Sequence, residues 1–177
     1  MTDDDLMAYT RLVERFDFSA TRSILLLSPW LAQYILWKDT CSEAKVYCSD
    51  IHTWDLNQKK EWAFDVIFAG NVMHYSPVPN VWLDNLLNSC RLLVIQDLID
   101  RRRGGRLGQL ADDGDTMRYS FVTNGVHSSY ECAYDLSQHA DKLRYLDVYS
   151  TRDSARHFCA VFQGEARSLS KSSAITT

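Results

Sequence analysis

FDVIFAGNVMHY, Phe64 to Tyr75, is the stretch that decides the fold. An acid near its start is followed by a short run of β-forming apolar residues, which ends in Gly70-Asn71 and then the polar pair His74-Tyr75. Apolar character without alternation predicts a strand covered on both faces, as in a parallel sheet. Polar groups that arrive straight after such a strand belong at the carboxyl edge of the sheet, where open α/β folds bind their ligands.

The flanking segments extend the pattern in both directions. Residues 4–16 place Leu6, Tyr9, Val13 and Phe16 at helical spacing behind Asp3, Asp4 and Asp5, predicting an amphipathic leading helix. Residues 22–30 (RSILLLSPW) predict a strand ended by Ser28 and Pro29. Residues 31–41 (LAQYILWKDTC) predict a helix with Leu31, Ile35 and neighbouring aromatics on its inner face, and residues 44–51 a second strand that ends in Ser49 and Asp50. Between Asp50 and Asp65 there is room for a loop and one helical turn, not for a further helix and strand. After Phe64–Gly70, a helix is expected over 78–90, where Trp82, Leu83, Leu86, Leu87 and Cys90 recur every three or four residues, then a strand over 91–99. Residues 100–116 are rich in Arg, Gly and Asp and predict a surface loop.

The chain closes with a short extended piece at MRYSFV, a helix in CAYDLSQHADK, and two strands over 143–150 and 157–163 joined by a short polar turn. Strands joined that closely must pair antiparallel. The expected fold is therefore α/β: a Rossmann-like, doubly wound, mostly parallel sheet with a C-terminal antiparallel β-hairpin and helices on both faces. In domain terms this gives a leading helix in 1–19, the α/β domain in 20–164 and a disordered Ser/Thr-rich tail in 165–177.

Composition narrows the class. With 177 residues, 46% hydrophobic and 24% charged, the chain suits one globular domain. A formal charge of −4 gives no general attraction to nucleic acid or to an anionic membrane. No apolar stretch is long enough to span a bilayer and the start is acidic, so the expected location is cytoplasmic. The five cysteines (Cys41, Cys48, Cys90, Cys132, Cys159) have neither metal-ligand spacing nor an even count, which argues against zinc and against a disulfide framework.

The carboxyl ends of the expected strands bring Ser28, Asp50, Gly70, Asn71 and Asp97 to one crevice, with His74 and Tyr75 just beyond. Carboxylates there suit a ligand bearing hydroxyls or an amine, although acids at strand ends also cap loops and helices. Histidine side chains suit acid–base work near neutral pH, so His74 suits a base, or it satisfies a backbone carbonyl. Arg101, Arg102, Arg103 and Arg106 either clamp an anionic group or neutralise Asp112, Asp113 and Asp115 in a solvated loop. Tyr119 and His127 carry the polar-aromatic mix of a pocket wall, and of an ordinary strand edge.

The order of elements over residues 20–165, with the residues of 44–100, resembles the class I S-adenosylmethionine-dependent methyltransferases. The resemblance implies S-adenosylmethionine as cofactor, with Asp50 on its ribose hydroxyls, Asp55 on its adenine amino group, and Ser28, Gly70 and Asn71 along it. It further implies a small polar or sugar-like acceptor facing His74, Tyr75, Asp97 and Arg101, with Tyr119 and His127 on the wall. The distance from Asp50 to Asp55 is shorter than the family's by a helix and a strand. Ser28-Pro29-Trp30 stands where the family has glycines that let the backbone approach the cofactor. Either the cofactor sits differently or Trp30 fills the place it would occupy, and on steric grounds the expectation is the second. A methyltransferase-like module that has lost the cofactor and serves a protein partner is then the alternative, and a nucleotide-using α/β enzyme is a third.

Overall fold

The computed structural model describes residues 3–50, 56, 63–73, 79–100, 121–123, 126–128, 139–150 and 156–166. It is a mixed α/β fold, and its elements run α1 (Asp3–Arg15), β1 (Ser23–Leu27), α2 (Leu31–Thr40), β2 (Lys45–Ser49), β3 (Phe64–Gly70), α3 (Pro79–Asn88) and β4 (Cys90–Asp100). A two-stranded ribbon follows, β5 (Phe121–Thr123) with β6 (Val126–Ser128), and then β7 (Leu143–Ser150) and β8 (Arg156–Gln163).

Among the described residues the main sheet has six strands in the order β2-β1-β3-β4-β8-β7. The first four are parallel, β8 is antiparallel to β4, and β7 is antiparallel to β8. Burial explains this order. β1, β3 and β4 have the continuous apolar runs and occupy the middle, while β2, with Lys45, Tyr47 and Cys48 exposed, takes an edge. The chain leaves β1 for β2 on one side and returns to β3 on the other. The order therefore reverses between β1 and β3, and that reversal opens a crevice at their carboxyl ends.

Alternation along the strands divides the core into two layers. Leu25, Leu27, Ile67, Ala69, Leu93 and Ile95 meet Trp82, Leu83, Leu86 and Leu87 of α3 on one face. Ile24, Leu26, Val66, Phe68 and Val94 meet Tyr9 and Leu12 of α1 and Trp37 of α2 on the other. The fully buried Trp37 organises that second layer. Its ring takes Tyr9 edge-on at 5.5 Å and Phe18 at 5.2 Å, and Phe68 packs against it at 5.5 Å. The Tyr9 hydroxyl donates to Leu36 O at 3.1 Å and bonds Thr40 Oγ1, tying α1 to α2.

Two expected helix faces are corrected. On α2 the side chains turned inward are Gln33 and Trp37, whereas Leu31 is 74% exposed and Ile35 48% exposed. The segment is apolar nearly all round, and Trp37, the largest side chain, takes the core position. On α1 the buried stripe is Asp5, Ala8, Tyr9 and Leu12; Val13 and Phe16 pack against the core as expected, and Leu6 alone of the expected face turns outward. Asp5 is admitted because its charge is met. Tyr149 Oη donates to Asp5 Oδ1 at 2.9 Å, Gln96 Nε2 donates to Tyr149 Oη at 2.8 Å, and His157 Nδ1 lies 3.5 Å from the same carboxylate oxygen. Burial pushes the Tyr149 phenol far above its ordinary value.

At the amino ends of the central strands, Asp65 fastens the start of β1 to β3. Its carboxylate accepts from Arg22 N at 2.8 Å, from Ser23 N at 3.0 Å, from Ser23 Oγ at 3.2 Å and from Arg91 Nη1 at 3.3 Å. Burial opposes ionisation here, but the two backbone donors, Arg91 and Ser23 outweigh it and hold the carboxyl below its ordinary value of 3.8. A folded-state value lower than the unfolded one stabilises above the unfolded value and is lost as pH falls through the folded value. Asp65→Asn is therefore expected to cost about 1–2 kcal/mol at pH 7. In urea unfolding, the gap between the variant and the wild-type protein should narrow once the pH drops well below 3.8; a gap independent of pH would mean that the charge contributes nothing.

Candidate functional site

Among the described residues two other than glycine adopt left-handed backbone, and both stand at the crevice: Ser28 (φ 45) directly after β1 and Asn71 (φ 56) directly after β3. Such conformations cost a residue with a Cβ on the order of 1 kcal/mol and persist where surrounding bonds fix them. The bonds are present. Ser28 N donates to Ser49 O at 2.7 Å, and Asn71 N donates to Gln96 O at 2.7 Å. The turn after β1 thus has the backbone course that glycine ordinarily supplies, with serine in its place.

Beyond the ends of β1 and β2 lies an open cleft of about 610 Å³, lined by Ser28, Pro29, Leu31, Tyr34, Cys48, Ser49 and Asp50. Its floor is polar, from two serines and a carboxylate, and its helix side is apolar and aromatic, from Leu31 and Tyr34. The outward turn of Leu31 and Tyr34 gives the cleft that wall. Asp50 is exposed at the strand end.

Trp30 is 52% exposed and is not among the residues lining the cleft, against the expectation that it fills the cofactor's place. Gln33, in the first turn of α2, is 3% exposed. Its Oε1 accepts from Trp30 N at 2.9 Å, supplying the cap that the tryptophan side chain cannot. Its Nε2 reaches Gly70, where a Cβ would come within 2.7 Å of it and within 2.5 Å of the Phe68 ring. Gly70 is glycine because the bottom of the crevice is this tight.

The structure thus brings Ser28, Asp50, Gly70 and Asn71 to the carboxyl edge. Asp97 is wholly buried inside β4, paired in register with Phe158 and three residues short of the strand's end. His74, Tyr75, Asp55, Arg101 and Tyr119 lie outside the described residues, and His127 is described only as backbone in β6. Sequence reasoning missed Gln33 and Asp5. The available signal was spacing: Gln33 stands four residues before Trp37, and Asp5 four before Tyr9 and seven before Leu12, so each shares its helix face with core residues. Among the described residues no cluster of three or more His, Cys, Asp or Glu is placed to hold a metal ion. No helix of the described residues is long and apolar enough to cross a membrane.

No family model and no curated protein matches the chain. Solved structures do. The [4+2]-cyclase SpnF is similar over 90% of this chain and 80% of its own, with TM-score 0.54 and 12% identity. An O-methyltransferase family protein from Burkholderia thailandensis is similar over 90% of this chain and 56% of its own, with TM-score 0.51 and 12% identity. A protein from Pyrococcus horikoshii OT3 is similar over 92% of this chain and 91% of its own, with TM-score 0.53 and 6% identity. The chain shares its fold with a methyltransferase family protein. At these identities the likeness is one of fold, and one of the neighbours is named for a cyclisation, so chemistry has to be argued from the site.

Proposed function

We propose that this domain is an S-adenosylmethionine-dependent methyltransferase acting on a small polar or sugar-like acceptor. The observation that carries the proposal is Asp50, a strand-end carboxylate that opens into the cleft beside the left-handed turn at Ser28. A carboxylate there accepts two hydroxyl donors at once, as a ribose diol presents them. Ser49 adds a second polar contact, and Leu31 with Tyr34 offers an apolar wall to a purine.

The residues present fit the nucleoside half of the cofactor. When bound, S-adenosylmethionine supplies a methyl group on a sulfonium, and the protein has mainly to position an acceptor in line with it. That calls for no strong nucleophile. His74, Tyr75 and Arg101 would meet the acceptor from the segments after β3 and β4, with His74 holding its proton.

One observation favours a second reading, a methyltransferase-like module without cofactor: the buried Gln33 in the crevice. Calorimetric titration of the purified protein with S-adenosylmethionine and S-adenosylhomocysteine separates the two. Micromolar binding of either ligand is expected; folded protein that binds neither would leave the cofactor-free module standing.

A further inference from the structure

The cleft opens above the ends of β1 and β2. Toward β3, where the sheet order reverses, the described residues bring one buried side chain of α2 against Gly70. That side chain, Gln33, is tied at one end by its bond from Trp30 N. Its other end rests on Gly70, and among the described residues no hydrogen bond joins Nε2 to an acceptor. It is buried, yet among the described residues it is held by one neutral hydrogen bond and no ion pair. Such a group blocks a path without being hard to move.

Its departure would also uncover something useful. The first amides of a helix have no partner within the helix, and the helix start is electropositive, so a carboxylate is favoured there. Gln33 Oε1 accepts from one of those amides in α2, doing for the closed state what a ligand oxygen would do in the open one.

We propose that Gln33 is a latch over the β3 half of the site. A ligand with a charged amino-acid tail displaces it from Trp30 and Gly70, while a bare nucleoside binds over β1 and β2 with the latch shut. The inference rests on the proposed function in placing a nucleoside in the cleft. Gln33 is on this account a specificity-determining residue: it penalises the tail and leaves the nucleoside untouched.

The test is calorimetric titration of wild-type protein and Gln33→Ala with adenosine and with S-adenosylhomocysteine. In the wild-type protein the two ligands should bind within a few-fold of each other. Gln33→Ala should tighten S-adenosylhomocysteine about tenfold, the scale of the one hydrogen bond no longer broken on entry, and leave adenosine unchanged. Gln33→Asn, too short to span from α2 to Trp30 N and Gly70 together, should give the same selective gain, and serves if the alanine variant fails to fold. If Gln33→Ala instead weakens S-adenosylhomocysteine, Gln33 is a contact to the tail and the latch is wrong. Adenosine binding without any change in the ratio of the two ligands also overturns the latch while the nucleoside site stands. Failure of both ligands to bind any folded variant overturns the proposed function itself.

Discussion

Gly164→Ala is expected to destabilise this protein more than any exposed substitution would, although it adds one methyl group in a half-buried position just past β8. A Cβ on residue 164 would lie 2.0 Å from Cys90 O, 2.7 Å from Cys90 C and 2.9 Å from Leu87 O. All three are backbone atoms, at the end of α3 and the start of β4, so no rotamer change relieves the overlap. The chain itself would have to move away, and three bonds hold it. Gly164 N donates to Arg91 O at 2.8 Å, Glu165 N to Leu87 O at 2.8 Å, and Ala166 N to Cys90 O at 3.0 Å. A loss of about 3 kcal/mol or more follows, which for a domain of this size lowers the thermal midpoint by roughly 6–12 °C. At Gly70 the nearest atoms to an added Cβ belong to the side chains of Phe68 and Gln33 rather than to backbone. Thermal unfolding by circular dichroism checks the prediction. An unchanged midpoint for Gly164→Ala would mean that the connection after β8 is not packed as described.

The sheet was legible in the sequence because its central strands need no pattern subtler than continuous apolarity. Phe64–Gly70, Ser23–Leu27 and the core of Cys90–Asp100 are runs that only a doubly covered strand accommodates, and each lies close to where the runs predict it. The antiparallel pairing of Leu143–Ser150 with Arg156–Gln163 followed from their short separation. Helix faces were harder. LAQYILW offers apolar residues on every side, and composition does not say that Trp37 docks between Tyr9, Phe18 and Phe68 while Leu31 and Ile35 face outward. Asp5 was read as one of three acids at a helix start, and its burial depends on Tyr149 and Gln96, which lie far along the chain.

The site divides in the same way. Asp50 was visible as a strand-end acid. The left-handed turn at Ser28 was not, because a glycine declares that conformation in a sequence and a serine does not. Gln33 was invisible for a related reason: a glutamine three residues past a helix start announces a cap, but whether its amide also reaches a glycine on a neighbouring strand is a tertiary fact.

Asp50→Ala is the substitution expected to cost most in function. Under the proposed function its carboxylate accepts both hydroxyls of the ligand's ribose, and hydrogen bonds to an ionised acceptor contribute about 1.5–3 kcal/mol each. Losing two of them should weaken S-adenosylhomocysteine at least about 100-fold. Adenosine should weaken by the same factor, since the lost contacts lie in the part that the two ligands share. That shared loss sets Asp50 apart from Gln33, whose removal is expected to move only the ligand with a tail. Asp50→Asn keeps one acceptor oxygen and loses the charge, so it should fall between the alanine variant and the wild-type protein. Asp50 is exposed at the end of an edge strand, and its replacement should leave thermal stability within about 0.5 kcal/mol. A folded Asp50→Ala protein that still binds both ligands at wild-type affinity would move the nucleoside out of this cleft. The search would then pass to the β1–β3 crevice, where Gln33 would stand as a ligand rather than a latch.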